Sequence, residues 1–335
     1  MFNMTKANKI EVLNIILILI SLLLSLMLPF ELFLFSYAVL GPLHYLTEIN
    51  WLHQKNYFIQ DRKYISILVV ITAMITFLML FKYLKLEAFF SSYLNSCFVL
   101  LFGVLIVSSL IFSIGLVFFK GSKKIFLVFI FAFTFGLLFL EISPFYFFIV
   151  SIFLPTIIHV YFFTLLFIIL GTLKNRSVYG VTTIVFFILI PLFISYNPFL
   201  SVFDTSELVK DMFLETGFKS IIVSLNQILN NISISYFDFN SVVIIKIQTF
   251  IAFSYTYHYL NWFSKTSIIG WCSGISKPYL VSILILWLTS VILYVYSYKI
   301  GVVVLYFLSM LHVIVEFPLN VISIREVFFL RKSSH

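Results

Sequence analysis

Charged side chains are scarce in this sequence of 335 residues, and their scarcity excludes most soluble proteins. Asp, Glu, Lys and Arg together make up 10% of the chain, whereas a soluble domain carries about 25%. Hydrophobic residues make up 62%. So few charges cannot cover the surface of a protein of 39.0 kDa in water. The composition therefore excludes a soluble enzyme and a DNA-binding domain.

Cysteine and glycine are also sparse. The two cysteines, Cys97 and Cys272, form no disulfide or metal-binding pattern. Both fall in or beside apolar runs, which predicts that they pack in the interior. Glycine occurs 11 times and forms no phosphate-binding loop. Close helix contacts through small residues are therefore not expected to dominate the packing.

Long apolar runs are abundant, and they predict an all-α fold, a polytopic transmembrane helical bundle. A membrane-spanning helix needs roughly 20 apolar residues. Runs such as Ile15–Leu28 are continuous, whereas the strands of a transmembrane β-barrel alternate polar and apolar residues. We predict about ten spans in a single integral membrane domain over residues 1–335, although another division of 85–142 would give eight or nine. The predicted spans are 9–30, 31–52, 64–84, 91–119, 125–142, 144–172, 179–197, 241–263, 278–299 and 301–323.

The basic residues predict the orientation of these spans. Cytoplasmic loops carry an excess of Lys and Arg, which predicts that both termini are cytoplasmic. We also expect the protein to lie in the bacterial inner (plasma) membrane. With the N-terminus inside, one side of the membrane holds 15 of the 21 cations. These are Lys6, Lys9, Lys55, Arg62, Lys63, Lys120, Lys123, Lys124, Lys174, Arg176, Lys265, Lys277, Arg325, Arg331 and Lys332.

One predicted loop is long, at about 197–241. Its acidic balance favours the extracytoplasmic side. Within it, the segments 202–218 and 221–229 are amphipathic enough to lie on the membrane interface as short helices.

Four histidines fall inside the predicted spans, and two glutamates accompany them. Ionisable groups within a bilayer are costly and usually functional. At 1.5 Å per residue, the four histidines lie roughly 8 to 20 Å from the inner boundary, in one slab of the membrane. We therefore predict that they converge. The six residues are His44, His159, His258, His312, Glu48 and Glu316.

The spacing of these residues predicts a metal site. His44 and Glu48 are four residues apart, and so are His312 and Glu316, so each pair shares one helix face. Neutral imidazole is a good ligand for iron, zinc or copper, and a nearby carboxylate can orient such a ligand. We predict that the four histidines bind the metal and that the two glutamates act in catalysis by orienting ligands or moving protons. A proton relay would use the same residues.

A third predicted catalytic side chain is Asn261, which lies three residues after His258 on the same helix face. The segment 253–263 around this histidine is rich in tyrosine and other aromatic residues. These aromatic side chains could line a pocket for a long conjugated or aliphatic substrate.

Two stretches carry a resemblance to a known family. Residues 41–52 read GPLHYLTEINWL and residues 257–262 read YHYLNW. The first resembles the second-helix motif of the membrane-integral carotene 15,15'-dioxygenases of the Brp/Blh type, in which an acidic residue follows the histidine after four positions. The second resembles a later histidine helix of that family, and Leu311-His312 resembles another of its histidines.

The resemblance implies a function and a set of ligands. In that family, histidines from separate helices hold a non-haem iron, and the enzyme cleaves β-carotene with dioxygen. His44 and His258 would be iron ligands, His159 and His312 their partners, and Glu48 a supporting acidic residue. This chain departs from the family at 254 and 262, where serine and tryptophan stand four residues from the central histidine and the family carries a second one.

We therefore expect a membrane-integral non-haem iron oxygenase. It would use Fe(II) and dioxygen to cleave or oxidise a lipid-soluble substrate, a carotenoid by the resemblance, which enters from the bilayer. Its expected partners are this small molecule and membrane lipid, with no nucleic acid. The alternative is a proton- or ion-coupled transporter or flippase that uses the same histidines and glutamates. A membrane glycan polymerase or acyltransferase is a third interpretation, but no histidine lies in the long loop where such enzymes favour basic or histidine residues.

Overall fold

The computed structural model describes residues 5–84, 90–197, 204–230, 237–269 and 277–332. Within these ranges every regular element is helical and no strand occurs. The prediction of an all-α fold is confirmed. Cys272 and part of the long loop lie outside the described residues, whereas Cys97 is described, half-buried and not part of a disulfide.

Fourteen α-helices form the described chain, and two π-helical segments, Ser36–Leu40 and Leu154–Phe163, join four of them. Over most of its length, each predicted span overlaps one helix or two helices joined through a π-helical segment. The helices are α1 (Lys6–Met27), α2 (Pro29–Phe35), α3 (Gly41–Gln54), α4 (Ile65–Tyr83), α5 (Ser92–Phe118), α6 (Ser122–Ile142), α7 (Pro144–Phe153), α8 (Thr164–Asn175), α9 (Val178–Tyr196), α10 (Glu207–Glu215), α11 (Phe218–Asn230), α12 (Val242–Ile269), α13 (Lys277–Tyr296) and α14 (Tyr298–Lys332).

Nine helical stretches in the described ranges are long and apolar enough to cross a membrane, which is consistent with an integral membrane protein. The tenth predicted span, 241–263, forms α12, which is long enough but too polar to belong to these nine. Its buried polar side chains include Gln248, Thr256 and His258. The count of ten spans and the cytoplasmic position of both termini stay predictions.

Serine and proline mark where several helices begin. The hydroxyls of Ser91, Ser177 and Ser206 accept hydrogen bonds from backbone N–H groups in the first turns of α5, α9 and α10. Serine is favoured at this position because it satisfies a donor that has no partner inside the helix. Pro29 and Pro144 stand at the first residues of α2 and α7, where the missing N–H costs nothing.

The π-helical segments lie beside or around two of the predicted ligands. Ser36–Leu40 ends four residues before His44, and Leu154–Phe163 contains His159. Pro155 lies within the second segment and has no N–H to continue the backbone hydrogen bonds. A widened turn accommodates such an interruption, and π turns occur frequently at functional sites.

The chain divides into two compact units. In the first, Met1–His44 with Val160–Val302, α12 is central and packs on α1, α2, α9 and α11. The amphipathic helix α10 packs on α2, with Phe213 fully buried and its ring centroid 5.0 Å from that of Phe30. The two short helices of the long loop were predicted at 202–218 and 221–229, and they form at α10 and α11.

The second unit comprises Tyr45–His159 and Val303–His335. Its central helix is α5, which packs on α4, α6 and α7. Gly103 and Gly115 on α5 lie so close to Phe147 and Val128 that a Cβ atom at either glycine would clash with the facing side chain. Glycine is thus required at these two crossings, although it is scarce in the chain as a whole.

Candidate metal centre

All six ionisable residues singled out from the sequence are buried in the protein and do not face lipid. Their exposed fractions lie between 1% and 6%. A buried histidine or glutamate needs a polar partner or a bound cation, because burial without one is costly. The six residues are His44, Glu48, His159, His258, His312 and Glu316.

Two of the histidines face each other in the first unit. The Nε2 atoms of His44 on α3 and His258 on α12 lie 3.1 Å apart. On its other side, Nδ1 of His258 lies 2.7 Å from Oγ1 of Thr164 on α8. When the threonine hydroxyl accepts the Nδ1 proton, Nε2 of His258 carries a lone pair directed toward His44.

The separation of these two nitrogens fits two ligands of one metal ion. With metal–nitrogen bonds of about 2.0–2.1 Å, two ligands lie about 2.8–3.4 Å apart at octahedral or tetrahedral angles. A hydrogen bond in which one ring donates to the other would give a similar distance. The contact of Nδ1 with Thr164 is the kind that orients a metal-binding histidine and fixes its tautomer.

Aromatic side chains surround this pair. The His44 ring centroid lies 5.1 Å from that of Tyr259 and 5.5 Å from that of Trp262. Tyr259 also lies 5.5 Å from the His258 ring. The aromatic segment of α12 therefore borders the histidine pair, as the sequence predicted.

The second unit holds another set, formed by His159, His312 and Glu316. Nδ1 of His159 lies 3.0 Å from Oε2 of Glu316 on α14, and the rings of His159 and His312 are 5.1 Å apart between centroids. The ring of Tyr45 stacks on His312 at 4.8 Å. A carboxylate on one nitrogen of an imidazole is a common arrangement at metal sites, where it leaves the other nitrogen to the metal.

Glu48 interacts electrostatically with Glu316 in the same unit. Both carboxyl groups are almost fully buried, with exposed fractions of 2% and 1%. Two negative charges that interact in a medium of low dielectric repel each other strongly. A cation or a shared proton would relieve that repulsion, so the pair is suited to metal support and to proton transfer alike.

Each unit holds two of the four predicted ligands. His44 and His258 belong to the first unit, and His159 and His312 belong to the second. Buried histidines of this kind are consistent with metal binding, and they do not identify the metal.

Three other buried polar residues bear on the site. Asn261 was predicted from the sequence, whereas Thr164 and Asn320 were not. Asn261 is buried, but none of the described hydrogen bonds joins its side chain to His258. Thr164 lies in an apolar run that gave no signal of its role. Asn320 is 1% exposed and both polar atoms of its side chain lack a partner among the described residues. Its position four residues after Glu316 continues the spacing that was used for the histidines and could have identified it.

Comparison of the chain with models of protein families, with curated proteins and with solved structures finds no match.

Proposed function

We propose that this protein is a membrane-integral non-haem metal oxygenase in which histidines from separate helices bind one metal ion. The observation that carries the proposal is the buried contact between His44 and His258, with Nε2 atoms 3.1 Å apart and Thr164 on the far side of one ring. Both rings are buried, with exposed fractions of 1% for His44 and 6% for His258.

The donor set fits iron(II), with dioxygen as the cosubstrate. Imidazole nitrogens suit iron, and four of them would leave positions open on a six-coordinate ion. Non-haem iron with open positions supplies the chemistry of dioxygen activation. Thr164 would hold the ring of His258 in the orientation that directs its other nitrogen to the ion.

The proposed substrate is a lipid-soluble molecule, and a carotenoid is the class that the resemblance of 41–52 and 257–262 favours. Tyr259 and Trp262 border the histidine pair and offer aromatic faces to a conjugated chain. A carotenoid dissolves in the bilayer and would reach a buried site without crossing water. Glu48 would support the metal through its interaction with Glu316.

Metal analysis of the purified full-length protein tests this proposal. We expect about one metal ion per chain in wild type and loss of the metal in His44→Ala and His258→Ala. His53→Ala is the matched control, since His53 lies on the same helix but contacts Arg62 and Tyr57 near the end of α3. Equal metal content in wild type and in all three variants would reject the proposal.

The second candidate function is a proton- or ion-coupled transporter or flippase. The contact between His159 and Glu316 and the interaction of Glu316 with Glu48 favour it, because buried histidine and glutamate pairs form proton paths in membrane proteins. Reconstituted vesicles with a pH-sensitive dye would detect proton flux that stops in Glu316→Gln. An oxygenase would give no such flux and would lose metal instead.

A further inference from the structure

A cavity of about 260 Å³ lies in the second unit between α4, α5 and α6. Val70 and Met74, at its α4 side, are more than two-fifths exposed, so the cavity opens sideways toward the surrounding lipid. Ile71, Leu105 and Ser108 are buried and form its floor. Because a cavity of 150 Å³ holds benzene, this one has room for roughly ten non-hydrogen atoms.

Ser108 gives this apolar cavity one polar group. Its hydroxyl has no hydrogen-bond partner among the described residues, and the side chain is 4% exposed. Ser109 and Ser113 on the same helix donate instead to backbone carbonyls of α5, each at 2.7 Å. A buried hydroxyl without a partner is costly where no water is present. An oxygen atom of a bound molecule would supply the missing acceptor.

The position of Ser108 along α5 selects the kind of molecule. It lies ten residues before the end of the helix at Phe118, which is about 15 Å at 1.5 Å per residue. The hydrocarbon core is about 30 Å thick, so Ser108 lies near the middle of the bilayer. The ester oxygens of a phospholipid stay at the headgroup boundary, and its acyl chains carry no acceptor at this depth.

Gly136 on α6 makes space beside the hydroxyl. A Cβ atom at Gly136 would come within 2.8 Å of Oγ of Ser108. An alanine at position 136 would therefore clash with the Ser108 hydroxyl.

We propose that this cavity binds a lipid-soluble molecule without a headgroup, whose hydrocarbon body fills the space and whose single carbonyl or hydroxyl oxygen accepts a hydrogen bond from Ser108. The site is separate from the histidines, and the proposal stands whether or not they bind a metal. Its recognition chemistry is one donor in an apolar cavity, which discriminates an oxygenated molecule from a hydrocarbon of the same shape.

Binding of sulcatone, a short isoprenoid ketone, to the full-length protein in nanodiscs tests this proposal. Its matched hydrocarbon, with a methylene group in place of the carbonyl, is the second probe. We expect Ser108→Ala to weaken ketone binding about fivefold, the value of one hydrogen bond, and to leave the hydrocarbon unaffected. The carbonyl stretching band of the bound ketone should lie at lower frequency in wild type than in Ser108→Ala.

Two further variants serve as controls for this experiment. Ser109→Ala is the matched control, because the Ser109 hydroxyl is bonded within its own helix, and it should bind both probes as wild type does. Leu105→Phe should fill the cavity and abolish binding of both. The proposal is overturned if Ser108→Ala binds the ketone as tightly as wild type, if both probes weaken equally in Ser108→Ala, or if Leu105→Phe leaves binding intact.

Discussion

The two histidine sets differ in the side chain that contacts one nitrogen of an imidazole ring. A neutral hydroxyl, from Thr164, contacts His258 in the first unit, whereas a carboxylate, from Glu316, contacts His159 in the second. A hydroxyl fixes the tautomer of a ring without adding charge. A carboxylate also places a negative charge beside its histidine, so the same residue type is prepared for different chemistry in the two places.

This difference explains why the buried histidines support two proposed functions. The neutral pair, His44 and His258, brings two nitrogens to the separation expected of metal ligands. The set around Glu316 brings negative charge, which a metal ion would balance and a moving proton would also balance. Variants that affect one set and spare the other can therefore decide between an oxygenase and a transporter.

The largest expected effect comes from removing a nitrogen of the neutral pair. His258→Ala and His44→Ala should each lower metal affinity by more than about 100-fold, a greater loss than removal of a supporting contact gives. The measurement is metal content after dialysis against a chelator. If His159→Ala loses its metal while His258→Ala retains it, the ligands are those of the second set alone.

Removing charge from the second set should have a smaller effect on metal affinity. Glu316→Gln and Glu48→Gln keep the shape of the side chain and some hydrogen bonding, so metal affinity should fall by roughly 10–100-fold. Competition with a coloured chelator would measure the change. Unchanged affinity together with a loss of proton flux in vesicles would instead assign both carboxylates to a proton path.

Thr164 permits a finer test of the neutral pair. Thr164→Val keeps the size of the side chain and removes the contact with Nδ1 of His258, which should weaken metal binding by about tenfold. Thr164→Ser restores the hydroxyl and should recover most of that loss in the same competition assay. An equal loss in both variants would show that packing is responsible, and not the hydrogen bond.

The stacking of Tyr45 on His312 should give the smallest effect. Tyr45→Leu removes an aromatic pair worth about 1 kcal/mol and should lower the thermal unfolding temperature, while Tyr45→Phe keeps the stack. Thermal unfolding in detergent would compare the two variants. Equal unfolding temperatures for Leu and Phe at this position would show that the stack contributes nothing to stability.

The helices could be predicted because the bilayer leaves few alternatives to long apolar helices. The end of α4 was predicted at 84 and lies at Tyr83, and the start of α9 was predicted at 179 and lies at Val178. A helix also forms at α12, where a span was predicted at 241–263, but the reason for its stability is different. Its histidine and tyrosines are buried against other helices, so a helix of mixed polarity is stable there.

The partners of the site residues could not be predicted from local sequence. His159 is flanked by Ile157, Ile158 and Val160, and nothing near it indicated its contact with Glu316 on α14. The contact of Thr164 with His258 joins residues 94 positions apart. Such pairs depend on how the helices pack, and a single sequence carries no direct record of that packing.

The π-helical segment Leu154–Phe163 makes the spacing around His159 sensitive to insertions and deletions. A deletion of one residue there could tighten the widened turn toward an α-helical one, and each residue of an α-helix advances the chain by about 100° and 1.5 Å. The residues on either side would then change their relative orientation without any change in their identity. A distant relative could keep the same ligands at a separation that differs by one position, so comparisons of such chains should match these histidines by helix face and not by residue count.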